Sequence, residues 1–256
     1  EILAIDDRSE DQTGDVMVEL AAEDPRIQVL RVTELPEDWL GKNHAMWTGS
    51  RAATGDLLLF TDGDVIYTPE ALKTAVSFVV ANRLDHLTLG PRMLSGSYLE
   101  EALVAFFGLL ITTGTQSWLA RWHTRHIYIG IGAFNLVSRT SYMAAGGHVP
   151  LRYEVADDMR LAQLLKRHGA RADMLMAGNL LSVRWQDSAW STITGLEKNG
   201  FAAAHFSIVR LLFGLSGAAT LLYSPLVVLA ASPGPSGRGF LAALICAHLG
   251  YAAAAA

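Results

Sequence analysis

Short apolar runs alternate with stretches of helical spacing over the first part of the chain. The apolar runs predict buried strands and the spaced stretches predict helices. The predicted strands are Ile2–Ile5, Ile27–Val32, Leu57–Phe60 and His86–Pro91, and the predicted helices are Val16–Ala22, His44–Ala53 and Pro69 to about Asn82. Strands that alternate with helices in this way indicate βαβ units and a parallel sheet with helices on both faces.

Two carboxylates follow the strand Leu57–Phe60, with one glycine between them. Side chains alternate along an extended chain, so Asp62 and Asp64 can point the same way across Gly63. Two such carboxylates suit a hard cation, Mg²⁺ or Mn²⁺, whose remaining ligands come from a phosphate. The alternative is a turn with two solvated aspartates.

A second acidic pair, Asp6-Asp7, follows the strand Ile2–Ile5. Ligands of open α/β sheets bind beyond the carboxyl ends of the strands. Two acidic strand ends therefore predict one crevice that holds a ligand.

A third pair, Asp157 and Asp158, opens an amphipathic helix predicted over Val155–Arg167. The helix dipole favours acids in a first turn, so one of the two aspartates is explained by a structural role as an N-terminal cap. The other is free to act as a general base. The stretch Gly130–Asn135 is rich in glycine, and it allows either a close approach to a sugar or phosphate or a tight turn.

The middle of the chain carries aromatic residues among cations. Tyr98–Thr112 is apolar apart from two glutamates, and it is too short to span a bilayer comfortably. Trp118 and Trp122 then accompany Arg121–His126, a mixture typical of a segment at the headgroup level of a membrane. A core helix with a polar, aromatic exit explains the pattern equally well, and Arg121–His126 could hold a phosphate or a headgroup.

The carboxyl-terminal part has the longest uncharged runs, Leu211–Ala231 and Phe240–Ala256. The first has the length that a transmembrane helix needs, and we expect the second to be a truncated one. Arg184, Lys198 and Arg210 precede the first run, so the positive-inside tendency places the main domain in the cytoplasm at the cell membrane.

Composition narrows the choice of partner. Hydrophobic residues make up 51% of the 256, and the formal net charge of −5 argues against nucleic acid. Cys246 is the single cysteine, so neither an internal disulfide nor a thiolate metal site is available. The chain opens inside a predicted strand without an initiator methionine, and we expect that a first strand and helix are missing.

The order of these motifs resembles family 2 glycosyltransferases with the GT-A fold, a Rossmann-like mixed α/β sheet flanked by helices. The resemblance covers roughly two thirds of the chain, and it rests on these motifs in order: Asp6-Asp7-Arg8-Ser9, Gly41-Lys42-x-x-Ala45, Ala53-x-Gly55-Asp56, Asp62-Gly63-Asp64 and Asp157-Asp158-x-x-Leu161. It implies a GT-A domain over residues 1–200 and a carboxyl-terminal membrane region over residues 201–256.

The resemblance also implies a role for each matching residue. Asp7 would contact the base or ribose of a nucleotide-sugar, and Lys42 would lie near the nucleotide. Asp62 would face the ribose or a metal-bound water, and Asp64 would bind the Mg²⁺ or Mn²⁺ that bridges the diphosphate. Asp158 would be the catalytic base, and no second nucleophile is needed because a single displacement inverts the anomeric centre.

Three departures from the family pattern refine the expectation. Asp157 replaces the usual glutamate, and Gly63 stands where the family commonly has alanine. The motif of processive members is reduced to Val183-Arg184-Trp185, which favours transfer of a single sugar. Gly132, Asp157 and Trp185 are candidates for supporting the donor or the acceptor. The membrane region resembles that of members that glycosylate lipids of the ceramide, hopanoid and carotenoid types.

The resulting prediction is an inverting, metal-assisted transfer from a nucleotide-sugar, by family analogy a UDP-sugar, to a lipid or membrane-associated hydroxyl. Two alternatives stay open. An apolar strand that ends in Asp-x-Asp also opens haloacid-dehalogenase-type phosphohydrolases, but Ile66 stands where they have Thr or Val. The other is a membrane scaffold with an inactive transferase domain.

Overall fold

The structure is a computed structural model. It describes residues 1–122 and 124–185, together with residues 188, 190, 191, 193–195, 207–209, 212, 223 and 239. The chain divides into two compact units. The first comprises Glu1–Arg92 and Thr115–Val183, and the second includes Met93–Gly114 and the described residues from Arg184 onward.

The described chain alternates between strands and helices for most of its length. In chain order the elements are β1 (Ile2–Asp7), α1 (Thr13–Glu23), β2 (Ile27–Val32), α2 (Gly41–Ala52), β3 (Leu57–Phe60), β4 (Val65–Tyr67), α3 (Ala71–Asn82), β5 (His86–Gly90), β6 (Arg92–Met93), α4 (Tyr98–Thr115), β7 (Asn135–Ser138), α5 (Arg139–Ala144), α6 (Asp157–Arg167), β8 (Ala172–Met176) and β9 (Leu181–Val183). Short 3-10 turns lie at Ser117–Leu119 and Val149–Leu151.

Strands β1 and β2 pair in parallel, as the βαβ pattern predicts, and the register runs from Ile2 opposite Ile27 to Asp7 opposite Val32. The central sheet has the order β3-β7-β5-β8. Strands β5 and β8 are parallel, but β7 runs antiparallel to both β3 and β5. The sheet is therefore mixed, as the family resemblance implies, and the expectation of a purely parallel sheet was wrong.

Apolar side chains project from both faces of the central sheet, because neighbouring residues of a strand point to opposite faces. On β7, Val137 joins one buried cluster with Leu58, Leu161 and Leu165. The next residue towards the amino end, Leu136, joins a second cluster that includes Leu87, Phe134 and Leu181. Strands β3, β7 and β5 thus form a central layer between two cores.

Helix α6 confirms the predicted amphipathic helix. Leu161 and Leu165 are buried, whereas Asp157 and Asp158 lie in the first turn and Lys166 and Arg167 in the last. Acidic residues at the start and basic residues at the end interact favourably with the helix dipole and stabilise the helix. Burial of the leucine face fixes α6 against the sheet, so its acidic first turn is held by the core.

The predicted membrane-spanning runs, Leu211–Ala231 and Phe240–Ala256, lie outside the described residues except for residues 212 and 223. Among the helices that the structure does describe, none combines the length and the apolar character needed to cross a bilayer. The apolar stretch that begins at Tyr98 forms the 18-residue helix α4 of the second unit.

Candidate active site

The carboxyl end of β1 separates its two aspartates into different roles. Asp6 is buried, and it accepts hydrogen bonds from the Ser9 backbone N–H at 3.0 Å and from Arg31 Nε at 3.1 Å. Asp7 is partly exposed and pairs with Arg8 Nε at 3.0 Å. Asp6 is therefore committed to the turn, whereas Asp7 keeps an accessible carboxylate at the strand end, as its predicted role requires.

The first turn of helix α2 lies against the carboxyl end of β1 and contacts Asp62, which follows β3. At its first residue, Gly41, a Cβ atom would collide with Asp7 Oδ2. The next residue, Lys42, places Nζ 2.9 Å from Asp62 Oδ1 and 3.5 Å from Asp157 Oδ1. The start of this helix thus joins Asp7, Asp62 and Asp157, which are far apart in sequence.

A glycine loop, defined here as residues 130–133, connects the end of β3 with the start of α6. The Asp62 backbone N–H donates to the Gly132 carbonyl at 3.1 Å. The Gly132 N–H donates to Asp158 Oδ2 at 2.8 Å. One peptide segment therefore binds both the predicted nucleotide-binding aspartate and the predicted base.

Both glycines of this loop are packed too closely for a side chain. A Cβ on Gly132 would lie 2.5 Å from Asp62 Oδ2, and one on Gly130 would overlap the Asp158 carbonyl group. The close approach is to the protein's own backbone and carboxylates. The predicted role of Gly132 beside the donor or acceptor stays a prediction, and the structure adds its contact with Asp158.

Two polar residues beside the Asp-Gly-Asp motif fix the other end of the glycine loop. Thr61 Oγ1 donates to the Ala133 carbonyl at 2.9 Å and Tyr67 Oη donates to it at 2.8 Å. The two hydroxyls are 2.6 Å apart. The sequence analysis missed both residues. Their only signal was a polar side chain at either end of a short motif, which solvent exposure explains equally well.

Asp158 is held at both of its carboxylate oxygens. Oδ2 accepts from the Gly132 N–H, and Oδ1 accepts from its neighbour, the Met159 N–H, at 2.7 Å. Burial and, next, the charge of Asp157 raise the pKa of Asp158 to about 6, although these amides and Lys42 oppose the rise. A carboxylate with a pKa close to neutral is a better proton acceptor than an ordinary aspartate.

Asp157 is buried and faces the cation of Lys42. Burial raises the pKa of Asp157, and the charge of Lys42 offsets part of that rise. Burial alone would lower the pKa of Lys42, but Asp157 and Asp62 outweigh it and raise that pKa to about 12. Lys42 therefore stays charged, and the acidic cluster around it carries less net negative charge.

Asp64 differs from the other acids of the site because it is exposed, and it forms neither a hydrogen bond nor an ion pair with the residues that the structure describes. Within those same residues no three histidine, cysteine or acidic side chains gather into a metal-binding group. One or two carboxylates completed by substrate phosphates and water are, however, the usual protein contribution to a Mg²⁺ site. The exposed carboxylate of Asp64 suits such a site, whereas Asp62 Oδ1 is already paired with Lys42 Nζ.

Trp185 and Arg121 each contact residues outside the acidic cluster. Trp185 belongs to the second unit, where its ring stacks on Phe107 with centroids 5.3 Å apart. Arg121 Nε donates to Asp173 Oδ2 at 2.7 Å, and its guanidinium lies over the Phe78 ring. Arg121 therefore already pairs with the Asp173 carboxylate, which weakens the prediction that Arg121 binds a phosphate.

A mixed sheet with acidic strand ends, joined by a glycine loop to the acidic start of a helix, defines a GT-A-like α/β domain. The chain belongs to the family described as Glycosyl transferase family 2, which matches residues 1–144. The match ends before α6, so it does not include Asp157 and Asp158, and their roles stay predictions.

Known proteins resemble the chain at low identity. The 4,4'-diaponeurosporenoate glycosyltransferase of Staphylococcus haemolyticus is 21% identical over 196 residues, which are 75% of this chain and 51% of that protein. The chain thus spans about half the length of this curated relative. The mannosyltransferase PcManGT of Pyrobaculum calidifontis, solved with GDP-Man and Mn²⁺, is 18% identical with a TM-score of 0.54, over 97% of this chain and 76% of that one. S. aureus TarS 1-349, solved with UDP, is 15% identical with a TM-score of 0.50, over 90% and 69%. These structures support the fold.

Proposed function

We propose that the protein transfers a single sugar from a nucleotide-sugar to a hydroxyl of a lipid or membrane-associated acceptor, with inversion at the anomeric carbon. Membership of the glycosyltransferase family supports the reaction class. One observation carries the site assignment: the Gly132 segment hydrogen-bonds both Asp62 and Asp158. Donor-binding and proton-accepting groups are thereby held in one rigid arrangement.

The donor occupies the strand ends in this proposal. Asp7 binds the base or ribose, Asp62 faces the ribose or a metal-bound water, and Lys42 lies near the nucleotide. PcManGT was solved with GDP-Man and TarS with UDP, which supports a nucleotide-sugar, and we favour UDP by family analogy. Asp64, with Asp62, would hold Mg²⁺ or Mn²⁺. When bound, the cation supplies Lewis-acid stabilisation of the charge that develops on the diphosphate.

Asp158 acts on the acceptor. The acceptor oxygen bonds to the anomeric carbon while the bond from that carbon to the diphosphate oxygen breaks, and the hydroxyl proton passes to Asp158. Two backbone amides orient the carboxylate, and its pKa of about 6 leaves it ionised at neutral pH. The products are the glycoside and a nucleoside diphosphate, and one displacement inverts the anomeric centre.

The acceptor is proposed to be a membrane lipid. Two features support this: the uncharged runs at the carboxyl end of the sequence, and a curated relative whose name gives 4,4'-diaponeurosporenoate as the molecule it glycosylates. The domain would then lie on the cytoplasmic side of the cell membrane.

A donor screen tests this function. The chain is incubated with UDP- and GDP-sugars and Mn²⁺, first alone to detect hydrolysis and then with lipid extracts, and the anomeric configuration of the product is read by NMR. We expect one donor to be consumed and its sugar to appear, inverted, on a lipid. No donor binding in the presence of Mn²⁺ would support the inactive scaffold, and a phospho-aspartyl intermediate at Asp62 would support the phosphohydrolase.

A further inference from the structure

A short loop of the first unit exposes two large aromatic rings. This tryptophan loop, defined as residues 117–122 and 124–126, begins with the 3-10 turn Ser117–Leu119. Trp118 is 53% exposed and Trp122 is 62% exposed. A tryptophan ring is among the largest apolar groups that a fold can bury, so the exposed part of Trp122, four residues from that of Trp118, offers apolar area to another phase.

The loop is held in place by two cations of the domain. The buried Lys166 of α6 donates to the carbonyls of Ala120 and Trp122, the latter at 2.7 Å. Arg121 pairs with Asp173, the second residue of β8, at 2.7 Å. These contacts fix the backbone between the two rings, so the exposure of the rings is part of the fold.

The charges beside the rings are positive. Arg125 and His126 are exposed, and the sequence from 117 to 126 contains no acidic residue. Among the described residues, no carboxylate forms an ion pair with Arg125. Tryptophan rings with adjacent cations match the headgroup layer of a bilayer, where the ring lies among the glycerol groups and the cation meets lipid phosphate.

Helix α6 binds the tryptophan loop through Lys166 and also carries Asp158, the proposed base. Lys166 follows Asp158 by eight residues on α6, which is about 12 Å along the helix axis. Between the two, Gln163 Nε2 donates to Tyr128 Oη at 2.9 Å. The chain then continues from Tyr128 into the glycine loop that contacts Asp158. Helix α6 and the chain from Tyr128 to the glycine loop therefore connect the tryptophan loop with Asp158.

We propose that the tryptophan loop lies in the headgroup layer of a bilayer that contains anionic lipid, and that this contact presents a membrane-borne acceptor to Asp158. The second half of this statement rests on the proposed function. The first half does not, because it concerns only the surface and the bilayer.

A fluorescent label on the loop tests the contact separately from any other membrane attachment. Cys246 is the single cysteine, so a Cys246→Ser background accepts one environment-sensitive NBD label at Thr124→Cys. The control label is at Val18→Cys, an exposed position on α1. Full-length chain receives vesicles of phosphatidylcholine alone or mixed with phosphatidylglycerol. We expect a blue-shifted, stronger emission at 124 with the anionic vesicles and no change at 18.

Substitutions in the loop identify the groups responsible. Trp118→Ser with Trp122→Ser should abolish the response of the label. Arg125→Gln should lower the apparent affinity for the anionic vesicles by about fivefold, the factor that corresponds to roughly 1 kcal/mol for one basic side chain at an anionic surface. Far-UV circular dichroism confirms that each variant is folded.

Three results would overturn the proposal. One is an aqueous spectrum at position 124 while the protein floats with the vesicles, because another part of the chain then makes the contact. A second is a response that rises with protein concentration in the absence of lipid, which indicates a protein interface. The third is an unchanged response in the tryptophan variant. Donor hydrolysis in detergent is measured in parallel, and its absence with a normal label response refutes the proposed function alone.

Discussion

Substitution of Gly132 by alanine tests the coupling between Asp62, at the proposed donor-binding end of β3, and Asp158, the proposed base. The added Cβ would lie 2.5 Å from Asp62 Oδ2, 3.3 Å from its Cγ and 3.4 Å from Oδ1. Real Cβ atoms do not approach other atoms within 3.0 Å, so one of the two groups moves by about 0.5 Å or more. Either the Asp62 carboxylate rotates, which disturbs its 2.9 Å contact with Lys42, or the glycine loop retreats and lengthens its 2.8 Å hydrogen bond to Asp158.

The size of the effect follows from the sensitivity of catalysis to position. A displacement of about 1 Å in a catalytic group costs on the order of a hundredfold in rate. A shift of about half that size should reduce kcat/KM by about tenfold to a hundredfold, which is about 1.4–2.7 kcal/mol of transition-state stabilisation. Because Gly132 does not have a positive φ angle, alanine fits its backbone, and we expect less than about 1 kcal/mol of lost stability.

Gly63 provides the matched control, since a Cβ at that position meets nothing within 4 Å. Steady-state sugar transfer and urea unfolding are measured for Gly132→Ala and Gly63→Ala. We expect Gly63→Ala to transfer at nearly the wild-type rate. Wild-type kcat/KM in Gly132→Ala would refute the coupling, and an equal loss in Gly63→Ala would show that the steric argument is not the cause.

Three further predictions concern charge and hydrogen bonding. Protonation of Asp158 below its pKa of about 6 removes the base, so kcat/KM should fall tenfold per pH unit in that range. In Asp157→Asn the loss of a neighbouring negative charge should lower the pKa of Asp158 and move the acid limb of the pH–rate profile to lower pH. An acid limb that does not move would contradict this. Lys42→Met leaves the buried Asp157 carboxylate without its cation and should cost about 1–2 kcal/mol in urea unfolding at neutral pH, less than for a fully buried pair because the Lys42 side chain is 47% exposed. That cost should shrink in acid, where Asp157 takes up a proton, and a loss independent of pH would argue against the pairing. Tyr67→Phe removes one of two donors to the Ala133 carbonyl and should cost about 0.5–1.5 kcal/mol of stability, whereas an unchanged denaturation midpoint would show that Thr61 alone suffices.

Local patterns predicted the elements that carry the acids. Strand β3 has the predicted bounds Leu57–Phe60, and α6 begins at Asp157 within the predicted range. Helix α2 begins at Gly41, three residues before the predicted start at His44. The prediction missed this first turn because Gly41, Lys42 and Asn43 are not apolar and so show no helical spacing of apolar residues. Strand β7 was not among the predicted strands, and its direction leaves no pattern, since side-chain alternation is the same whether the neighbouring strands run parallel or antiparallel.

The candidate site was predictable in part. Acidic residues at strand and helix ends identify themselves by sequence, and the structure links Asp7, Asp62, Asp157 and Asp158 through α2 and the glycine loop. The links themselves were not predictable, because they depend on backbone groups: the amide and carbonyl of Gly132 and the carbonyl of Ala133 have no signature in a sequence. The assignment of Trp185 to this site stays untested.

Asp64 and Asp158 are proposed to serve different steps around one nucleotide-sugar. Isothermal titration with UDP, with and without Mn²⁺, is combined with a transfer assay on Asp64→Ala and Asp158→Asn. We predict that Asp64→Ala loses the Mn²⁺-dependent part of UDP binding, while Asp158→Asn binds UDP as the wild type does and transfers no sugar. Full turnover by Asp158→Asn would contradict it.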